Sequence, residues 1–188
     1  LQVQVPEYGA GLLWVDGKVE RLLTAGSYAF WKFNRHVSAE LVDLRLQTIE
    51  VTGQEILTRD KVALRLNLSA TWRYTDVLKA FKELAKPADH LYRELQFGLR
   101  AAVGTRSLDE LLENKTVIDE VVTAQVTSKL AAYGLQLDGV GVKDIVLPGE
   151  MKTILAQVVE AGKAAEANMI RRREETAATR SLLNTAKV

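Results

Sequence analysis

Val62-Ala63-Leu64-Arg65-Leu66-Asn67-Leu68-Ser69-Ala70-Thr71-Trp72-Arg73-Tyr74 is the clearest alternation in the chain. Even positions carry Val, Leu, Ala, Trp and Tyr; odd positions carry Ala, Arg, Asn, Ser and Thr. Side chains alternate across a strand, so this pattern predicts a long antiparallel-type strand with one dry face. Upstream, residues 54–58 and a turn at Arg59-Asp60-Lys61 supply its hairpin partner. Downstream, helices take over. Asp76 caps a short helix through Leu84, which Pro87 ends. Residues 89–103 place Leu91, Leu95, Leu99 and Ala102 on one stripe. Ser107-Leu108-Asp109-Glu110 matches a capping box opening a short helix through Leu111 and Leu112. Asn114 caps the next, with Ile118, Val121, Val122, Val126, Leu130 and Tyr133 inward and Gly134 as its C′ glycine. Residues 135–147 return to strand. The fold class is α+β: a twisted antiparallel β-sheet with helices packed on one face, followed by a long C-terminal helix.

The first third is also β-rich. Residues 12–15 and 19–23 flank Asp16-Gly17, a signal for a type I′ hairpin. A second turn falls at Ala25-Gly26-Ser27, ahead of Tyr28, Phe30, Trp31 and Phe33. Val42, Leu44 and Leu46 alternate with Asp43, Arg45 and Gln47, which predicts a half-buried strand. Ile49 and Val51 break the parity, so a bulge is expected near Thr48. At the other end, residues 148–188 read as one helix. Pro148 suits a helix start, and Gly162 is the only poor helix former after it. A helix of about 60 Å outruns a domain of this size and needs a partner outside it. Residues 1–147 therefore form one domain and residues 148–188 an extended, coiled-coil-like oligomerisation segment.

Composition narrows the function. Net charge is +1 from 25 basic and 24 acidic residues, so nothing global points to nucleic acid. The absence of cysteine excludes disulfides, thiol catalysis and thiolate metal sites, and agrees with a reducing compartment. No apolar run approaches the ~18 residues of a membrane-spanning helix, and no signal peptide is present. The chain starts at Leu1 already in strand-like alternation, which we read as a piece of a longer protein with an anchor or domain upstream.

Four landmarks carry a resemblance. Val42-Asp43-Leu44-Arg45, then Gln54-Glu55-Ile56-Leu57-Thr58-Arg59-Asp60, resembles the VDLR and QEVITKD stretches of stomatins. Trp72-Arg73-Tyr74-Thr75-Asp76 is similar to that family's step from strand into its first helix. Leu108-Asp109-Glu110-Leu111-Leu112 is similar to its LDELL segment. Val142-Lys143-Asp144-Ile145-Val146-Leu147-Pro148 resembles its IKDIxLP, which there precedes a long helix. On these, the chain resembles the stomatin, prohibitin and flotillin type of domain (SPFH or Band 7), most like the bacterial slipins. The resemblance implies a membrane-associated scaffold on the cytoplasmic side that forms homo-oligomers and regulates a membrane protease or channel. It also implies a membrane-attachment segment upstream of Leu1. Two features depart from the family pattern: that segment is absent, and the last helix carries Arg171-Arg172-Arg173, Thr176 and Thr179 where an alternating Ala/Glu/Lys coil is commoner.

A search for chemistry finds no catalytic constellation. His36 and His90 lack neighbours at ligand spacing. There is no nucleophile elbow, Ser-x-x-Lys motif, P-loop or dinucleotide fingerprint. Gly9-Ala10-Gly11 and Gly139-Val140-Gly141 read as turn or bulge glycines. Asp109, Glu110 and Glu113, and the pair Glu174-Glu175, read as solvated helix faces. Arg171-Arg172-Arg173 is offset by Glu166, Glu174 and Glu175, favouring intra- or interhelical pairing over a lipid or nucleic-acid patch. No catalytic residue, cofactor or metal is expected.

Two contact surfaces remain. Alternation divides Tyr28 and Phe30 from Trp31 and Phe33, so some of this aromatic group belongs to the core. Trp31 and Phe33, beside Lys32 and Arg35, also suit membrane or partner contact. In the last helix, Met151, Leu155, Val158, Gly162, Ala165 and Met169 recur at coiled-coil spacing. That seam then meets Arg172, Thr176 and Thr179, and resumes at Leu183 and Ala186. Its small residues predict weak, multivalent packing suited to a large assembly. The expected function is a non-catalytic membrane-associated scaffold; the alternative is a regulatory module that binds a membrane protease through an exposed sheet edge or groove, without large self-assembly.

Overall fold

The computed structural model describes residues 1–185. It divides into two units, Leu1–Val146 and the segment from Leu147 onward. The alternating stretch is strand β7, Ala63–Tyr74. Antiparallel neighbours flank it, β6 (Gln47–Leu57) and β8 (Leu135–Val146), giving the sheet order β6-β7-β8. Leu64, Leu66, Leu68, Ala70 and Trp72 are at most 2% exposed. Each fully buried Leu contributes roughly 2 kcal/mol of transfer free energy. Helices α2 (Pro87–Gly104) and α4 (Thr116–Leu130) pack on each other and on this sheet, α2 over β6 and α4 over β8. Their stripes, Leu91, Leu95, Leu99 and Ala102 on α2 and Ile118, Val122, Val126 and Leu130 on α4, are fully buried.

The strands are shared among three sheets. Strand β2 (Gly9–Val15) pairs with β3 (Lys18–Leu23) and β5 (Val37–Asp43), while β1 (Gln2–Val5) and β4 (Gly26–Ala29) form a two-stranded ribbon. The β3-β2-β5 sheet carries a small buried cluster on each face. On one, Leu13, Leu23 and Val37 meet Val3, Val5, Tyr28 and Phe30 of the ribbon segment. On the other, Leu12 and Val42 meet Val77, Leu78 and Phe81 of helix α1 (Val77–Glu83). The Asp16-Gly17 hairpin has positive φ at both residues (51° and 79°), as a type I′ turn requires.

One expectation fails. The alternation from Val42 to Gln47 is not a single strand: β5 ends at Asp43, and β6 begins in another sheet at Gln47. Asp43 Oδ1 accepts the Arg45 backbone N–H at 2.9 Å, a local turn that competes with strand pairing. Leu44 and Leu46 are exposed as a result. The irregularity expected near Thr48 lies further on, between Val51 and Gln54, where Gly53 has φ 65° and its N–H donates to Asn67 Oδ1 at 2.8 Å.

Polar groups lock the helices to the sheet. Asp76 caps α1 by accepting the Lys79 N–H. Ser107 and Glu110 form the capping box of α3 (Leu108–Glu113). Asp60, in the β6–β7 turn, accepts Thr58 Oγ1–H at 2.5 Å and the Leu108 N–H at 3.1 Å, so the turn holds the start of α3. Arg59 adds an ion pair to Glu110 at 3.0 Å. Asp119 of α4 accepts the Val142 N–H at 2.9 Å, next to the bulge where β8 shifts register against β7. Asn114 accepts from Thr116 N–H rather than occupying the formal cap position, which falls to Lys115. A single 3₁₀ turn, Ala131–Tyr133, leads to Gly134 at φ 69°. The second unit holds helix α5, Gly149–Thr185, about 55 Å long.

Two measurements check this account. A Cβ at Gly134 would lie 2.4 Å from the Asp76 carbonyl oxygen, besides demanding left-handed backbone. Gly134→Ala should therefore lower unfolding free energy by about 3 kcal/mol in urea titration. The hydroxyl of Thr58 holds the Asp60 carboxyl below its usual range, and the Ser107 N–H followed by Arg59 does so for Glu110. A depressed carboxyl stabilises the fold above its unfolded value and loses that contribution as pH falls through the folded value. Thermal midpoints should hold from neutrality to about pH 5 and drop below it. Asp60→Asn should lower the neutral-pH midpoint and make the acid drop shallower.

Candidate functional site

The titratable groups that depart from ordinary behaviour all have structural explanations. Burial, with a smaller contribution from Glu40, pushes the Tyr74 phenol up to about 12. Tyr74 sits among Trp72 and Phe81. Arg45 holds the Asp43 carboxyl down through a bidentate contact. Asp60 and Glu110 serve the latch already described. His90 keeps Nε2 buried without a hydrogen-bond partner and meets the Tyr133 ring edge-on at 4.9 Å; His36 is exposed on a loop. Among the described residues no group of three His, Asp or Glu could hold a metal. The glycine pairs lie inside strands, Gly9 and Gly11 in β2 and Gly139 and Gly141 in β8.

Contact surfaces are more informative. The aromatic group splits by side. Tyr28 and Phe30 stack at 6.2 Å and pack against the core, with the Arg21 guanidinium 5.7 Å from the Phe30 ring. Trp31 and Phe33 are 93% and 92% exposed, on the loop between β4 and β5. Leaving two such rings in water forgoes a few kcal/mol of burial, an unusual arrangement for a surface without a partner.

In α5 the seam residues follow one unbroken helical ladder. Met151 and Leu155 are half-buried, while Val158, Gly162, Ala165 and Met169 are exposed, Val158 by 61% and Met169 by 57%. No atom lies within 4 Å of where a Gly162 Cβ would be. The spacing did not register Ile154 and Val159, both exposed, which sit one turn from Val158 and Leu155 and widen the apolar stripe at its start. The polar interruption is milder than composition suggests. Thr176 Oγ1 donates to the Arg172 carbonyl at 2.7 Å and Thr179 Oγ1 to that of Glu175 at 2.8 Å, so both hydroxyls are satisfied within the helix. Arg172 is left as the charged seam position. Leu183 is exposed, and Ala186 lies outside the described residues.

Sequence reading missed a third surface. At the end of β5 the Arg45 guanidinium lies 4.0 Å from the Tyr8 ring centre while gripping Asp43, beside exposed Leu44 and Leu46. Tyr8 and Arg45 are distant in sequence, and their approach depends on the Leu44 N–H donating to the Tyr8 carbonyl.

The order of elements, strands, capped helices, a returning strand and a long helix, coincides with a known domain. The model of the SPFH domain / Band 7 family matches residues 3–176. The chain belongs to this family. It is similar to a protein of Archaeoglobus fulgidus, 29% identical over 98% of this chain and 73% of that protein. A stomatin homologue of Pyrococcus horikoshii is 27% identical over 98% of this chain and 68% of its own length. Stomatin-4 of Caenorhabditis elegans is 27% identical over 98% of this chain and 66% of its own length. Two of the motifs that carried the resemblance are in contact: Asp60, in the stretch from Gln54, holds the backbone of Leu108, which opens the other. No described helix is long and apolar enough to cross a membrane.

Proposed function

We propose that this chain is the assembly-competent part of a non-catalytic, membrane-associated scaffold. In this reading copies join through α5 and organise or regulate membrane partner proteins such as proteases and channels, on the cytoplasmic side. The observation that carries it is the exposed apolar stripe of α5: Ile154, Val158, Val159 and Met169 on one uninterrupted helix. Exposed apolar side chains on a helix are stabilised by burial against another helix. Membership of the family supports the membrane setting, and the structural explanation of each perturbed titratable group supports a non-catalytic role.

The seam sets the strength of the contact. Its wide part spans residues 151–159; beyond it Gly162 and Ala165 allow close approach but bury little area. Parallel, in-register pairing would set Arg172 against its counterpart, a repulsion that limits a simple dimer. It would also bring Glu175 of one copy near Arg180 of the next, five residues on, the usual flanking charge pair of a parallel coil. Weak pairs repeated around a large assembly reconcile these features. Capture of a peptide by a sheet edge has less support, since β6 and β8, the outer strands of their sheet, both carry bulges that blunt strand addition.

Sedimentation velocity tests this directly. The chain should show concentration-dependent association that ends on truncation after Gly149 and weakens at least about tenfold in Leu155→Asp with Val158→Asp. Arg172→Leu should strengthen association. Monomers throughout, at high concentration and for Arg172→Leu alike, would overturn α5 as the assembly element.

A further inference from the structure

We propose that the loop carrying Trp31, Lys32, Phe33, Asn34 and Arg35 is a membrane contact intrinsic to the α+β unit. It seats in the headgroup layer of a bilayer that contains anionic phospholipid. The inference rests on the membrane-scaffold reading above and names the residues and lipid class of one contact within it.

The loop is built to present its tips. At one end the Phe30 N–H donates to the Leu1 carbonyl at 2.8 Å, and the Phe30 ring packs inward. At the other end His36 and Asp16 exchange two hydrogen bonds: His36 N–H to Asp16 Oδ1 and Asp16 N–H to the His36 carbonyl, both 2.8 Å. Between them the Arg35 N–H reaches back to the Lys32 carbonyl at 3.3 Å, with Asn34 at φ 53°. This is a closed turn with fixed ends. The two apolar side chains on it are nonetheless the most exposed large apolar groups of the described residues.

Charge selects the occupant. Between Glu20 and Glu40 the sequence contains no carboxylate, while Arg21, Lys32 and Arg35 supply cations. Arg21 is turned to the Phe30 ring. Lys32 and Arg35 form no ion pair among the described residues. The nearest carboxylate along the hairpin, Asp16, accepts the His36 N–H. A protruding pair of aromatic tips interleaved with free cations suits a deformable, negatively charged surface: rings enter the headgroup and acyl boundary while cations meet phosphates. A protein groove would have to supply two deep pockets and its own acidic rim.

Flotation of the chain with phosphatidylcholine vesicles, and with equal parts phosphatidylcholine and phosphatidylglycerol, tests the proposal. Binding should favour the anionic vesicles and weaken with added salt. Lys32→Gln with Arg35→Gln should lose roughly thirtyfold on them, from about a fivefold contribution per cation. Trp31→Ser with Phe33→Ser should abolish binding, while Leu44→Ser with Leu46→Ser, an exposed apolar pair elsewhere on the unit, should not. Circular dichroism should be unchanged in all three. Trp31→Phe should retain binding but lose the blue shift of tryptophan emission. Undiminished binding by the Trp31 and Phe33 double variant, indifference to phosphatidylglycerol, or no binding to either vesicle would overturn the proposal. Those results with α5-dependent self-association intact would leave the scaffold reading standing. The expected vesicle binding without any self-association would do the reverse.

Discussion

Leu64, Leu66, Leu68, Ala70 and Trp72 project from one face of β7 and are shielded almost completely from water. The surrounding chain is arranged to keep them so. A strand of twelve residues with a continuous dry face needs a cover as long as itself. Helices α2 and α4 supply it, with five and four fully buried side chains respectively at helical spacing. Burial of this face is non-directional and does not define where each helix begins. The directional groups do that. Asp60 holds the first amide of α3, Asp119 holds Val142 beside a β8 bulge, and Gly134 lets the backbone pass against Asp76.

Both neighbours of β7 deviate at the same level. Strand β6 carries one extra residue between Val51 and Gln54, and β8 shifts between Val142 and Asp144, on either side of Asn67. Paired irregularities strengthen the local twist of the sheet on which α2 and α4 pack. They also interrupt both free edges of the sheet. Small residues on the opposite face, Ser69 and Gly141, let Lys143 reach across β7 to Glu50. One set of deviations thus serves packing within the unit and protection of its edges.

Much of the fold was legible because its signals are local. The type I′ turn, the Asp76 cap, the capping box at Ser107 and Glu110 and the C′ glycine at 134 each depend on residues within four positions of one another. The stripes of α2 and α4 were equally clear. The segment from Val42 to Gln47 misled, since its alternation is genuine at both ends. What breaks it is the Asp43 carboxylate accepting the Arg45 amide, a competition that hydrophobic periodicity does not register. Among the surfaces, the seam spacing and the Trp31 and Phe33 pair were visible. The flanking Ile154 and Val159 were passed over because they lie off the strict heptad, and Tyr8 with Arg45 because they are far apart in the chain.

By itself the sequence determined the fold class, the succession of elements, the family and the long terminal helix, because periodicity and capping act over a few residues and survive without knowledge of neighbours. Tertiary structure decided which apolar residues are surplus. Phe30 and Trp31 are adjacent and chemically alike, yet one packs against Tyr28 and the other stands in water. The difference arises from the pairing of Phe30 with Leu1 and the closure of the loop at Asp16 and His36. Partition between core and contact surface depends on groups brought together from distant parts of the chain, and only the folded arrangement contains them.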